Sequence, residues 1–355
     1  MKTGIANLPL HYGSCPAWLF ARMKRLAGAI IETIVMEFSP TEVLARLSDP
    51  YWFQSFACVL GFDWHSSGSS TTVCGAIKEA LKGKEKDLGI FVAGGKGKVS
   101  RKTPIEIEEY GQKFSLNFAP KLIYASKMSA KIDNSCLQDG FQIYHHTFIF
   151  TKRGDWAVIQ QGMNEEIQMA RRYHWLSFKT FNFVNEPHAA ICCDFKGKPL
   201  NLVASESEKT REISTQIVRS PFNVFLKDFR KIRVLNMPKY HWIPLTPIIE
   251  KRIEKVLFQT HESQPKNFEE LVSYQGVGPK TLRALALISE LIYGTKPSFK
   301  DPVRYSFTHG GKDGVPYPVN KKQYDLSISI LERAIRKAKI KNSEKSQALK
   351  ILYEK

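Results

Sequence analysis

Two runs with strand patterning, Tyr144–Phe150 and Trp156–Gln160, are separated by Thr151-Lys152-Arg153-Gly154-Asp155. A short polar connection containing a glycine lets the chain reverse on itself, so the two runs are expected to pair antiparallel. This commits the middle of the chain to a sheet. It also brings two polar pairs, His145-His146 and Gln160-Gln161, near one another across the ladder. Such pairs either face a site or are satisfied within the core. Ile90–Ala93 reads as a short buried strand entering the loop Gly94–Lys98, and strand-like pieces surround Gly197 between Phe181 and Leu202.

Most of the remaining sequence has helical spacing. Leu19, Met23, Leu26 and Ile30 fall on one helical face. Ser39-Pro40-Thr41-Glu42 is a capping box with proline at the first helical position, which predicts a helix running toward Leu47. Further helices are expected over about 71–81 and 124–137, and the signals are helical from about Ser220 onward. The polar stretch SESEKTRE has linker-like composition. The expectation is an α+β chain: a mixed α/β N-terminal domain over 1–215 with the candidate catalytic residues, then an all-helical domain over 216–355.

Charge narrows the choice of partner. The chain has 355 residues, with 52 Lys and Arg against 34 Asp and Glu, a net charge of +18. A surface this basic attracts polyanions, nucleic acid above all. The last 35 residues hold ten basic side chains and four acids, making the final helix a candidate backbone-contacting arm or a solvated charged helix. A hydrophobic content of 43% excludes wholesale disorder. No run approaches the roughly 18 apolar residues of a membrane span, and the N-terminus lacks a signal-peptide pattern, so a cytoplasmic location is expected. Of six cysteines, none forms C-x-x-C and none lies beyond Cys193, which excludes a zinc ribbon or a four-cysteine iron–sulfur loop near the C-terminus.

The most specific pattern is Phe268-Glu269-Glu270-Leu271 leading to Tyr274-Gln275-Gly276-Val277-Gly278-Pro279-Lys280-Thr281. Gly276 and Gly278 allow a tight turn, Val277 plugs between two helices, and Pro279 suits the first turn of the second. Amides of Gly276, Gly278 and Thr281 and the amine of Lys280 then form an anion site at a helix N-terminus. Residues 268–293 resemble a helix-hairpin-helix, a DNA-backbone clamp. They also resemble the hairpin of DNA glycosylases with lyase activity. That resemblance implies Lys280 as a Schiff-base nucleophile, Asp301 as the aspartate 21 residues on, and a flipped nucleotide as substrate. Tyr274-Gln275 stands where those enzymes often carry Leu-Pro, and their cysteine loop is absent. Otherwise Lys280 simply contacts phosphate.

Other candidates lie upstream. GFDWHSSGSSTT places Asp63 and His65 before a helix, as an acid–base pair at a phosphate site or as an N-cap with a surface histidine. Lys127 and Lys131, one turn apart and followed by Asp133 and Asp139, are fallback nucleophiles, groove-lining cations or snorkelling side chains. Arg171 and Arg172, in ARRYHW, interleave with aromatics as a patch that could hold phosphate and stack a splayed base, and MPKYHWIP has the same character. Lys96 and Lys98, in GGKGK, are further DNA-contact candidates. Val99 follows Lys98, so this is not a P-loop and ATP use is not expected. Glu186, His188, Cys192, Cys193 and Asp194, with Asp63, Asp133 and Asp139, could assemble a divalent-metal site.

Over nearly its whole length the chain resembles a prokaryotic, mostly archaeal family, domain of unknown function 763. The residues that carry this are GFDWHSSG, GGKGK with RKTP, YASKMSAKIDN, LQDGFQIYHHTFIF, WAVIQQGMN, ARRYHW, EPHAA, GVGPKTLRALALISELIYG and SFTHGGKDGVPYPV. The resemblance implies no activity. Three functions therefore stand. The first is a DNA-repair glycosylase/AP lyase acting through a Schiff-base lysine, with no cofactor. The second is a metal-dependent DNA nuclease, and the third a non-catalytic DNA- or junction-binding protein.

Overall fold

The strand–turn–strand unit lies at the centre of the molecule. In the computed structural model, which describes residues 15–62, 67–231, 247–303 and 321–353 together with Leu8, Leu10 and Gly13, β3 (Gln142–Thr151) and β4 (Trp156–Asn164) pair antiparallel. β1 (Ile90–Lys96) flanks β3, β5 (Met169–Leu176) flanks β4, and β6 (Ala190–Cys192) closes the far edge of an antiparallel five-stranded sheet of order β1-β3-β4-β5-β6. A two-stranded ribbon joins β2 (Leu137–Gln138) to β7 (Leu200–Asn201).

The stretches Ile90–Ala93, Phe148–Phe150 and Trp156–Ile159 read as continuous apolar runs because both faces of the sheet are covered. Phe91, Phe148, Phe150, Trp156, Val158 and Trp175 face one core. Ile90, Val92, Ile149, Ala157, Ile159 and Leu176 face the other. The second core is built by α1 (Ala17–Glu37), α2 (Pro40–Ser48), α3 (Pro50–Val59) and α4 (Gly68–Leu81), with α5 (Glu85–Leu88) leading into β1. α2 starts as its capping box requires, with the Ser39 hydroxyl accepting from the Glu42 amide at 3.1 Å. Asp49 caps α3 in the same manner, accepting from the amides of Tyr51 and Trp52.

The first core is covered by α6 (Thr103–Phe114), α7 (Ala119–Lys131) and α8 (Glu208–Arg219), preceding α9 (Phe222–Lys231) and α10 (Pro247–Glu262), and by α11 (Phe268–Ser273) and α12 (Pro279–Leu291). α13 (Lys321–Lys337) and α14 (Asn342–Tyr353) return to the second core, where Leu331, Ala334, Ile335 and Ala348 are buried. The polar run after Ser205 is a 3-10 turn leading into α8, which lies against α12 with the Ser214 and Ser289 hydroxyls 3.4 Å apart.

Two expectations need correction. α7 begins at Ala119, before the expected 124, because Pro120 occupies its first turn, and it continues into a π-helical turn over Ile132–Cys136. Ala170–Trp175 is not a surface patch: it belongs to β5, with Arg171 and Arg172 wholly buried by partners distant in sequence. Asp63, His65, MPKYHWIP and SFTHGGKDGVPYPV lie outside the described residues.

Candidate functional site

Polar side chains concentrate at one end of the sheet. Ladder register aligns Lys96, His145, Gln161, Arg172 and Cys192 across the five strands. His145 sits opposite Gln161 and His146 opposite Gln160, as the turn between β3 and β4 requires. Successive residues point to opposite faces, so each His–Gln pair serves a different layer.

On the face toward α4, Arg172 Nε donates to Ser70 Oγ at 2.6 Å, and its Nη2 donates to Ser69 Oγ at 2.8 Å and Gln54 Oε1 at 3.1 Å. The guanidinium lies 4.6 Å from the Phe53 ring centroid, and burial lowers its pKa to about 10. Gln161 Nε2 donates to the Ser67 carbonyl at 2.9 Å, which fixes the start of α4 above this row. His145 Nε2 lies 3.1 Å from Thr147 Oγ1, and burial drives the ring's pKa to about 3. It is therefore neutral at physiological pH.

On the opposite face a hydrogen-bonded chain runs through the core. Gln160 Nε2 donates to Asp133 Oδ2 at 2.5 Å and to the Ser129 carbonyl at 3.2 Å, so its Oε1 faces His146 Nδ1 at 2.8 Å. That assigns the imidazole proton to Nδ1 and leaves Nε2 to accept from the Ser126 hydroxyl at 2.9 Å. Asp133 also accepts from Trp175 Nε1 at 2.9 Å and meets His188 Nε2 at 2.5 Å. A serine oriented on a neutral imidazole has the pattern of an activated hydroxyl, but Ser126 and His146 are both buried. Nothing in the sequence beyond the two His–Gln pairs announces this chain.

At the outer end of β5, Arg171 forms a clamp. It donates to Asp139 at 2.9 Å, to Asp301 at 2.9 and 3.2 Å, and to the Phe195 carbonyl at 2.9 Å. Asp301 further accepts from the Gly197 amide at 2.8 Å, and Tyr173 O–H donates to Asp139 at 2.7 Å. The adjacent carboxylates hold Arg171 above its ordinary pKa, while burial raises Asp139 against the pull of Arg171. Three candidate residues thus meet, but as a buried ion-pair clamp.

The two-glycine turn lies between α11 and α12. Gly276 has φ +89° and is exposed, and Val277 is buried beneath it. α12 begins at Pro279 with Gly278 as its N-cap and no capping side chain, leaving first-turn amides without a side-chain acceptor. Thr281 is buried, whereas Lys280 is exposed and has no hydrogen bond or ion pair among the described residues. Lys131 Nζ donates to the Tyr274 carbonyl at the entry to the turn, and burial lowers its pKa. Lys127 is exposed on the same helix. Lys96 and Lys98 are exposed with Arg101 and Lys102 around the glycine loop. Gly94 there has φ +89°, and a Cβ on it would lie 2.2 Å from the His146 carbonyl oxygen.

Among the described residues, no three His, Cys, Asp or Glu side chains converge as a metal-ligand set. Asp133 is engaged with His188 and Asp139 with Arg171. No described helix is long and apolar enough to cross a membrane.

These features define an α+β protein with a layered antiparallel sheet, a buried polar sheet end and an exposed two-glycine turn between helices. The chain belongs to the family described as Protein of unknown function (DUF763), whose sequence model matches residues 4–319. No curated protein and no solved structure matches it.

Proposed function

We propose that this chain binds DNA along its sugar-phosphate backbone through the Gly276–Gly278 turn, as a helix-hairpin-helix, and acts on abasic sites through the amine of Lys131. The supporting observation is the position of that amine against Tyr274, at the mouth of the turn. A strand gripped by the first-turn amides of α12 and by Lys280 passes beside Lys131. Burial lowers the pKa of Lys131, which raises the fraction of neutral, nucleophilic amine. The amine adds to the C1′ aldehyde of an opened abasic sugar, and loss of water gives an iminium. Loss of a C2′ proton then expels the 3′ phosphate. Lys280 binds phosphate in this scheme, and Asp301 holds Arg171.

Borohydride reduction of the iminium is expected to trap the chain on abasic duplex DNA. Lys131→Ala should abolish trapping, whereas Lys280→Ala should weaken DNA affinity at every sequence and leave residual trapping at saturating DNA. Affinity should fall steeply with salt. Trapping that survives Lys131→Ala would remove the catalytic assignment. Failure to bind duplex DNA in dilute buffer would remove the whole reading.

A further inference from the structure

A groove of about 410 Å³ opens between residues 182–185, α8 and the start of α11. Its lining is polar. Gln216 presents its amide, Asn182 and Asn185 present amide N–H groups while their Oδ1 atoms accept from the Val184 amide and from Arg211 Nη2, and Arg219 and Lys266 present exposed cations that make no side-chain hydrogen bond or ion pair among the described residues. Carboxylates of Glu208, Glu212 and Glu269 line it as well, so the groove is not a simple anion trap. Amides and carboxylates beside cations suit a ligand with both donor and acceptor edges and one negative charge.

Next in the chain to Asn182 of the lining comes Phe181, which is 93% exposed. Its loop is firmly held. Thr180 Oγ1 donates to the carbonyls of Leu176 and Pro187, Asn182 Oδ1 accepts from the Val184 amide, and Phe183 stacks on Trp156 with ring planes 8° apart. A phenyl ring held in water on an anchored loop offers a ready stacking face.

Helix α7 connects the groove to the turn. Tyr124 O–H donates to Glu269 at the start of α11 at 2.7 Å, while Lys131 on the same helix reaches Tyr274 just past its end. Tyr124, Lys127 and Lys131 form one stripe of α7, with exposed Lys127 midway between groove and turn. The six residues of α11 span about 9 Å at 1.5 Å each, or two to three steps of a strand at about 3.4 Å per step.

We infer that this groove is a pocket for one unpaired nucleotide of a bound DNA strand, with Phe181 stacked on the base, the amides reading its edge, and Arg219 and Lys266 holding its phosphate. The inference rests on the DNA-binding reading above. Its test uses the full chain and two duplexes, one intact and one carrying a single unpaired 2-aminopurine. Binding to the bulged duplex is expected to be about tenfold tighter, the order of one base–aromatic stack, with a change in 2-aminopurine emission. Phe181→Ala should reduce the preference to near unity and remove the emission change, leaving intact-duplex affinity within twofold. Lys280→Ala should weaken both duplexes equally and keep the preference. Equal affinity of the wild-type chain for both duplexes, or a preference that survives Phe181→Ala, overturns the pocket and leaves duplex binding standing. Absence of binding to either duplex overturns both.

Discussion

Asp301 shows how a carboxylate at a suggestive spacing can be held for a structural purpose. Its 21-residue separation from Lys280 resembles a catalytic pairing, yet its oxygens are taken up by Arg171 and the Gly197 amide. Replacing this carboxylate leaves buried Arg171 with Asp139 as a carboxylate partner and weakens two charge-assisted hydrogen bonds, at a cost of about 1–3 kcal/mol. Asp301→Asn is therefore expected to lower the stability read from urea unfolding by about that amount, while the folded fraction shows the same borohydride trapping as the unsubstituted chain under the proposed function. Unchanged stability with lost activity would reverse the assignment. The sequence could not reveal the clamp, because the partners of Arg171 lie 32 and 130 residues away. Locally, two arginines among aromatics look solvated, and only distant chain brings the carboxylates and hydroxyls that make their burial tolerable.

At the scale of elements, β3 and β4 were legible because a glycine turn and two apolar runs are local signals. β5 was not, since its charges interrupt the pattern. The histidines these strands carry make the sheet sensitive to acid. Burial lowers His145 and His174 to about 3 and His146 to about 4. In the unfolded chain each takes up a proton near pH 6.5, whereas the folded sheet keeps it neutral. Their stabilisation is complete above pH 6.5 and is lost as the pH falls toward 4, by up to about 1.4 kcal/mol per pH unit for each ring. Asp194 opposes this. Its carboxylate oxygens are buried without a hydrogen-bond partner among the described residues, and desolvation raises it to about 6, so its contribution is lost as the pH rises. One aspartate is outweighed by three buried rings. Urea midpoints measured from pH 7.5 to 4.5 should fall with a slope approaching three protons below pH 6.5. A flat profile would mean that the rings are not held neutral.

For the molecule as a whole, the α+β class follows from local patterns, but the layering does not. Which helices cover which face depends on packing between segments hundreds of residues apart. α13 and α14 are the clearest case. Their sequence carries ten basic residues in the last 35 and suggests an arm for a polyanion, yet Leu331, Ala334, Ile335 and Ala348 enter the core built by α1–α4. Lys337 pairs with Glu37 at 2.5 Å, and Arg25 pairs with Glu344, so the exposed rim is tied to α1 as well. A free arm can be deleted at a cost to binding alone. A packed layer cannot: fully burying Leu331 and Ile335 is worth about 3–6 kcal/mol together. Ending the chain at Asn320 is therefore expected to lower the melting temperature and expose the apolar face of α1, seen as increased binding of a hydrophobic dye. The arm's charge is tested separately by Lys339→Gln, Lys341→Gln and Lys350→Gln, all at exposed positions, in one chain. If these lysines touch phosphate, the fold should survive and the salt dependence of DNA binding should flatten by about 0.9 for each phosphate no longer neutralised. A truncated chain that melts like the full one would show that the C-terminal helices form no part of the core, and their charge would then be free to act as an arm.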